Sequence, residues 1–240
     1  MQLKVFRPCL FLMLLFAAVW PAFAQEDTKK NDRPPDGATA PVREQNQKQA
    51  DETRYQYEFA QKDFVISQIV IKHDALGRGE ISFRHKNDET PIVEPIELST
   101  GAIGRIFGLW SKLRFLDSTE DYQSSKNFAH LGTYKLIMDD GKRQRTAEFN
   151  WSHNPIAWNL AQEYRRVADQ AIFIFDMNVA RENQPLNAPG LLNQLESMYK
   201  RNGLSDPRQL VPLLQELSTD EHIPLIARNQ AGRLLKQFKN

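Results

Sequence analysis

The chain has 240 residues, in which 31 lysines and arginines face 30 aspartates and glutamates, with five histidines and one cysteine. Near-neutral charge argues against a nucleic-acid binder, which normally carries a basic excess. A single cysteine rules out a disulfide framework, so any folded domain rests on its hydrophobic core.

The amino terminus reads as a secretory signal peptide over residues 1–24. Lys4 and Arg7 form a short basic region, Leu10 to Val19 is an unbroken apolar run, and Ala22-Phe23-Ala24 is a small-x-small cleavage site before Gln25. The apolar run is about half of the ~20 residues a spanning helix needs, so no membrane span is expected after cleavage. Cys9 lies before the run rather than at the cleavage point, and the mature chain should carry neither thiol nor lipid. Removal of Lys4 and Arg7 leaves 29 basic against 30 acidic residues, a net charge of −1. The expected location is outside the cytoplasm, either periplasmic or extracellular.

Residues 25–54 contain no aromatic residue, and their only apolar types are Ala and Val. Such a stretch cannot offset the ~1–2 kcal/mol of backbone entropy lost per ordered residue, which predicts a disordered linker. From Tyr55 the composition becomes that of a core. "FVISQIVIKHD" (64–74) is rich in β-branched residues, "ALGRG" supplies turn glycines, and "GEISFRH" (79–85) alternates, with Ile81, Phe83 and His85 sharing one face. This predicts a β-hairpin, with His73 and Asp74 as a solvated pair at its turn. Pro91 and Pro95 in "ETPIVEPIELS" argue against a central strand or a helix and predict a covering segment that crosses to the next element.

Ser99 or Thr100 is placed to cap a helix whose face is Ile103, Ile106, Phe107, Trp110 and Leu113. Gly104 and Gly108, four apart, suit the approach of a close neighbour. "TYKLIMDDGKRQRTAEFNW" then reads as strand, Asp-Gly turn and strand, with Arg145, Ala147, Phe149 and Trp151 on one face. Asn154-Pro155 opens a second helix with Leu160, Tyr164, Val167, Ala171 and Phe175 inward. Two ββα units of this kind predict an α+β domain over residues 55–182, one antiparallel sheet with both helices on one face.

The runs "ELSTGAIGRIFGLWSKLRFLDSTEDYQ" and "YKLIMDDGKRQRTAEFNW", with the closing helix, resemble a class of uncharacterised α+β domains in exported bacterial proteins. The resemblance covers roughly residues 64–176. It implies a compact α+β module and supplies no reaction, cofactor or substrate.

Residues 183–240 change character. "NQPLNAPG" reads as a linker, followed by a helix on Leu191, Leu192, Leu195 and Met198. Asp206-Pro207 begins a second helix, with Leu210, Val211, Leu214 and Leu217 inward, and Ile226, Ala227, Leu234 and Leu235 mark a third. "DPRQLVPLLQELSTDEHIPLIARNQAGRLLKQF" resembles a single HEAT-type helical repeat. One such unit cannot bury its own apolar face, so an all-α tail of this kind should dock on the preceding domain or on a protein partner.

Catalytic signatures are sparse. No serine lies in Gly-x-Ser-x-Gly, the glycines match neither a P-loop nor a dinucleotide fingerprint, and no cofactor is implied. No two histidines have the i, i+4 spacing of a helical zinc site. His130 ends the loop before the third strand and His153 follows the fourth, so hairpin pairing would bring them to one edge of the sheet. With Asp121, Glu120 or Asp139 they would make a metal site or a general-base pair. The blander reading has His130 closing its loop and His153 helping to cap the second helix. Two functions therefore follow: an exported, non-enzymatic interaction or scaffolding module, or a small metal-binding protein or hydrolase using His130, His153 and a nearby carboxylate.

Overall fold

Tyr55, Tyr57 and Phe59 alternate with Arg54, Gln56 and Glu58, and this short run is the strand on which the sheet is built. In the computed structural model, which describes residues 53–239, β1 (Arg54–Ala60) lies between β2 (Ile66–Asp74) and β5 (Thr133–Asp139). β3 (Arg78–His85) and β4 (Ile92–Glu97) extend the sheet beyond β2, and β6 (Gln144–Phe149) extends it beyond β5. The order is β4-β3-β2-β1-β5-β6, antiparallel throughout, and among the described residues five α-helices complete an α+β fold. The expected signal peptide and residues 25–52 of the expected linker lie outside the described residues.

The two-ββα arrangement is therefore corrected. Among the described residues four strands, not two, precede the first helix, because β1 begins where the linker was expected to end and because Ile92–Glu97 pairs with β3 despite Pro95. β4 is an edge strand, where a missing N–H can face away from the ladder. The later ββα order is as expected.

Alternation explains why the sheet is covered on one side. Tyr57, Ile71, Ile81 and Leu136 stand in register and are fully buried, joined by Phe59, Ile69, Phe83 and Phe149. The opposite face carries charges that pair across strands, with Lys72 3.6 Å from Glu80 and Lys135 3.5 Å from Glu58. Exposed pairs of this kind are worth about 0–1 kcal/mol and chiefly keep that face wet.

Helix α1 (Thr100–Leu113) starts at Ser99, whose hydroxyl accepts the Ala102 N–H at 3.2 Å, and ends at Arg114 in the left-handed region. It buries Ala102, Ile106, Trp110 and Leu113. Gly104 and Gly108 face open space, with nothing within 4 Å of a Cβ placed there, so they admit no close neighbour. Gly79 is the opposite case, since its Cβ would meet the Lys72 carbonyl oxygen at 1.9 Å.

Helix α2 (Pro155–Asn183) is capped by Asn154, whose Oδ1 accepts the Ile156 and Ala157 N–H groups at 2.9 and 3.1 Å. Its 29 residues span about 43 Å. Leu160, Tyr164, Val167 and Ile172 belong to the core under the sheet, while Phe173 and Met177 belong to a second core. That second core is closed by α3 (Ala188–Lys200), α4 (Val211–Thr219) and α5 (Leu225–Phe238). "NQPLNAPG" is not a linker: Pro185–Asn187 forms a 3-10 turn and Ala188-Pro189-Gly190 is the first turn of α3. Ile226, one of the apolar residues that mark this helix, is exposed beside Leu225 at the start of α5.

Alanine at both Gly104 and Gly108 should stabilise the protein by about 1–2 kcal/mol in total, since each exposed helical glycine costs ~0.5–1 kcal/mol relative to alanine. Gly79→Ala should instead destabilise it, and urea unfolding of the three proteins measures both signs.

Candidate functional site

The loop joining α1 to β5 is held by two residues of the β5–β6 hairpin. Arg145 donates to the carbonyls of Phe115 and Glu120 at 2.7 and 2.6 Å, and to the Tyr122 hydroxyl at 3.2 Å. Its guanidinium also lies 4.5 Å from the centre of the Phe115 ring. Asn150 accepts from Gln123 Nε2 and the Phe128 N–H, and donates to Asn127 Oδ1 at 2.7 Å. The Asn150 side chain, in a glycosylation sequon, is therefore buried and fully engaged.

Within that frame the expected site residues go to separate places. Asp121 is exposed and accepts the Gln123 N–H at 2.9 Å, while Glu120 accepts from Asn154 Nδ2 at 2.9 Å. His130 is exposed in the 3-10 turn Ala129–Leu131, edge-on to Phe128, and its carbonyl accepts from Gln61 Nε2 at 2.8 Å. Asp139 closes the far end of β5, about 20 Å along the strand from its start, and accepts the Gly141 N–H at 2.8 Å. His153 Nε2 lies 2.9 Å from the hydroxyl of Ser124, which is buried rather than facing water.

A serine hydroxyl on a histidine nitrogen is one half of a nucleophile's geometry. The other half requires an orienting group behind the imidazole and a cleft in front of the hydroxyl. Ser124 Oγ also accepts the Lys126 N–H at 3.2 Å, and the Ser124 N–H donates to the Trp151 carbonyl at 2.8 Å. The contact thus closes the loop onto the end of β6. Among the described residues, no group of three or more His, Cys, Asp and Glu side chains is arranged to hold a metal ion.

His73 overturns its expected role as a solvated turn residue. It is 2% exposed and stacks on Tyr55 with ring centroids 5.2 Å apart. Its Nδ1 lies 2.7 Å from the Asp74 carbonyl, which can only accept, so Nδ1 carries the proton. Nε2 then accepts from the Tyr164 hydroxyl at 2.8 Å, and the same oxygen accepts the Trp110 indole N–H at 3.0 Å. This chain joins the sheet, α2 and α1, and it is complete only with neutral imidazole. Burial pushes the His73 pKa below its ordinary value, against the opposing pull of Asp74.

A cleft of about 510 Å³ opens elsewhere, where β4 meets α2 and the segment leading into α4. Ile96 of β4 and Val167, Ala171, Ile174 and Phe175 of α2 make it apolar. Its polar wall is a set of contacts that dock the tail. Gln170, itself buried, accepts the Asp206 N–H at 2.9 Å and donates to Gln209 Oε1 at 3.1 Å, and Gln209 Nε2 donates to the Glu97 carbonyl at 3.1 Å. Arg105 adds a 2.6 Å bond to the Ser205 carbonyl while pairing with Glu163 at 3.1 Å. Sequence reasoning missed this cleft, although Gln170, a polar residue inside the Val167–Ala171 stretch of an apolar helix face, was a visible signal.

No protein-family model matches the chain, and no curated protein matches it in sequence. Among the described residues, no helix is long and apolar enough to cross a membrane.

Tyr164→Phe removes the donor to His73 and the acceptor for Trp110, and should cost about 1–3 kcal/mol. A lowered native pKa at His73 means that the unfolded chain takes up a proton which the native state refuses. Its stabilising contribution is therefore full above the ordinary histidine pKa of about 6.5 and is lost as the pH falls from there toward the lowered native value. Urea titrations at several pH values should show this loss in the parent, and a smaller one in His73→Gln.

Proposed function

We propose that this chain is an exported, non-enzymatic interaction or scaffolding module of the cell envelope that receives a protein partner in the cleft between β4, α2 and the tail. The observation that carries the reading is the cleft itself, an apolar concavity walled by both parts of the fold. Its volume lies within the ~300–1,000 Å³ typical of binding sites. Export is supported by the basic, apolar and small-residue pattern of residues 1–24. The HEAT-like pattern of residues 206–238 supports a role for the tail, since units of that type bury their faces against neighbours. The polar side chains around His130 and His153 are accounted for by loop closure.

Site-specific photo-crosslinking in the native envelope tests this. A crosslinking residue at Val179, on the cleft, should give a discrete adduct that a residue at Thr146, on the uncovered sheet face, does not. Free monomer alone from both positions would count against an interaction module.

A further inference from the structure

We propose that helix α1 is an acid-released flap over the sheet, held shut by neutral His73 and set free when that histidine takes up a proton. The inference stands on the count of donors and acceptors in the buried His73–Tyr164–Trp110 chain. With Nδ1 committed to the Asp74 carbonyl, a second proton on His73 can go only to Nε2. Nε2 then becomes a donor, and the Tyr164 hydroxyl oxygen must accept from it as well as from the Trp110 N–H. The phenolic hydrogen that Nε2 had been accepting is left over. Tyr164 is fully buried, and among the described residues its hydroxyl has no further hydrogen-bond partner. Protonation thus strands a donor and a charge in the core, and both are relieved where water can reach them.

The groups around the ring do little to hold an imidazolium in place. β1 stacks Tyr55 on it, β3 brings Gly79 opposite, α1 covers it with Phe107, and α2 supplies Tyr164. Of its neighbours only Asp74, on its own strand, is charged. The Asp74 carboxylate already accepts the Leu76 and Arg78 N–H groups and pairs with the Arg78 guanidinium. Asp74 favours the proton, but burial outweighs it.

Which covering element yields follows from how each is held. β1 is paired on both sides, and α2 is capped by Asn154 and shared between two cores. α1 has only 14 residues, three of them glycines, which weaken a helix intrinsically, and it buries four side chains. Trp110 is both one of those four and the α1 member of the hydrogen-bond chain. The ion pair of Arg105 with Glu163 is a partly exposed tie, and Glu163 keeps Arg166 when it is broken. Lifting α1 therefore brings water to Nε2 and to the Tyr164 hydroxyl while the six strands stay paired. It also takes Ala102 out of the wall of the cleft, so acid would withdraw that surface from a partner. This last consequence alone rests on the interaction reading above.

Native-state hydrogen exchange tests the release, read by mass spectrometry on the mature full chain between about pH 7.5 and about pH 5 and corrected for intrinsic rates. Amides of α1 should be less protected than those of β1 and β2 at every pH, as a local opening requires. Below about pH 6.5 their protection should fall by up to about tenfold per pH unit, the slope for uptake of one proton. His73→Gln should remove that slope, and His222→Gln, at an exposed histidine beside Asp220, should leave it. Protection of α1 equal to that of the sheet, which means opening only by global unfolding, would overturn the proposal. So would protection that is flat with pH in the parent, a slope that survives in His73→Gln, or one lost equally in His222→Gln. The comparisons of α1 with the sheet and of one pH with another need the parent protein alone, and keep the test decisive should His73→Gln fail to fold. No partner enters the readout, so its failure leaves the interaction module standing, and failure of that module leaves the release of α1 standing.

Discussion

One helix serves two cores, and most of the structure depends on it. α2 lays Leu160, Tyr164 and Val167 under the sheet and then, without a break, gives Phe173 and Met177 to the helices of the tail. A rod of 29 residues is stiff enough to fix the position of whatever packs at its far end. Its start is correspondingly well determined, by the two Asn154 bonds and by Pro155. Polar residues placed where its sides meet other elements, Glu163, Gln170 and Arg181, then bind α1, the 3-10 turn before α4 and the end of α4.

Buried polar groups add specificity to this packing. The His73–Tyr164–Trp110 chain satisfies every member only when β2, α2 and α1 take their native positions together. Misplacing any one leaves a buried donor or acceptor without a partner, a cost of about 1–3 kcal/mol. Arg145 and Asn150 do the same for the long loop, converting a polar stretch with little helical or strand pattern into a fixed cover over the sheet edge.

Local signals in the sequence were legible where the responsible residues are close together. Ser99 and Asn154 cap the helices they precede, the Asp140-Gly141 turn joins β5 to β6, and the inward residues of α1 and α2 follow from spacing. Signals that depend on partners were not. Ile92–Glu97 looks unlike a strand until it has an edge to occupy, and Arg54–Ala60 follows a polar tract that masks its alternation. His73 appears solvated at the end of its strand because the covering residues, Tyr55 and Tyr164, are distant in sequence. The cleft was hidden for the same reason: its β4 and α2 walls come together only through the register of β4 and the length of α2.

The walls of that cleft belong to different packing units, and this has a consequence for cooperativity. Its floor is set by the sheet core and α2, while Ser205 and Gln209 on its rim move with the tail. Local opening of the tail would dismantle the concavity without unfolding the sheet, so occupancy and tail docking are thermodynamically linked. A partner bound there would raise the free energy of that opening and couple the melting of the two cores.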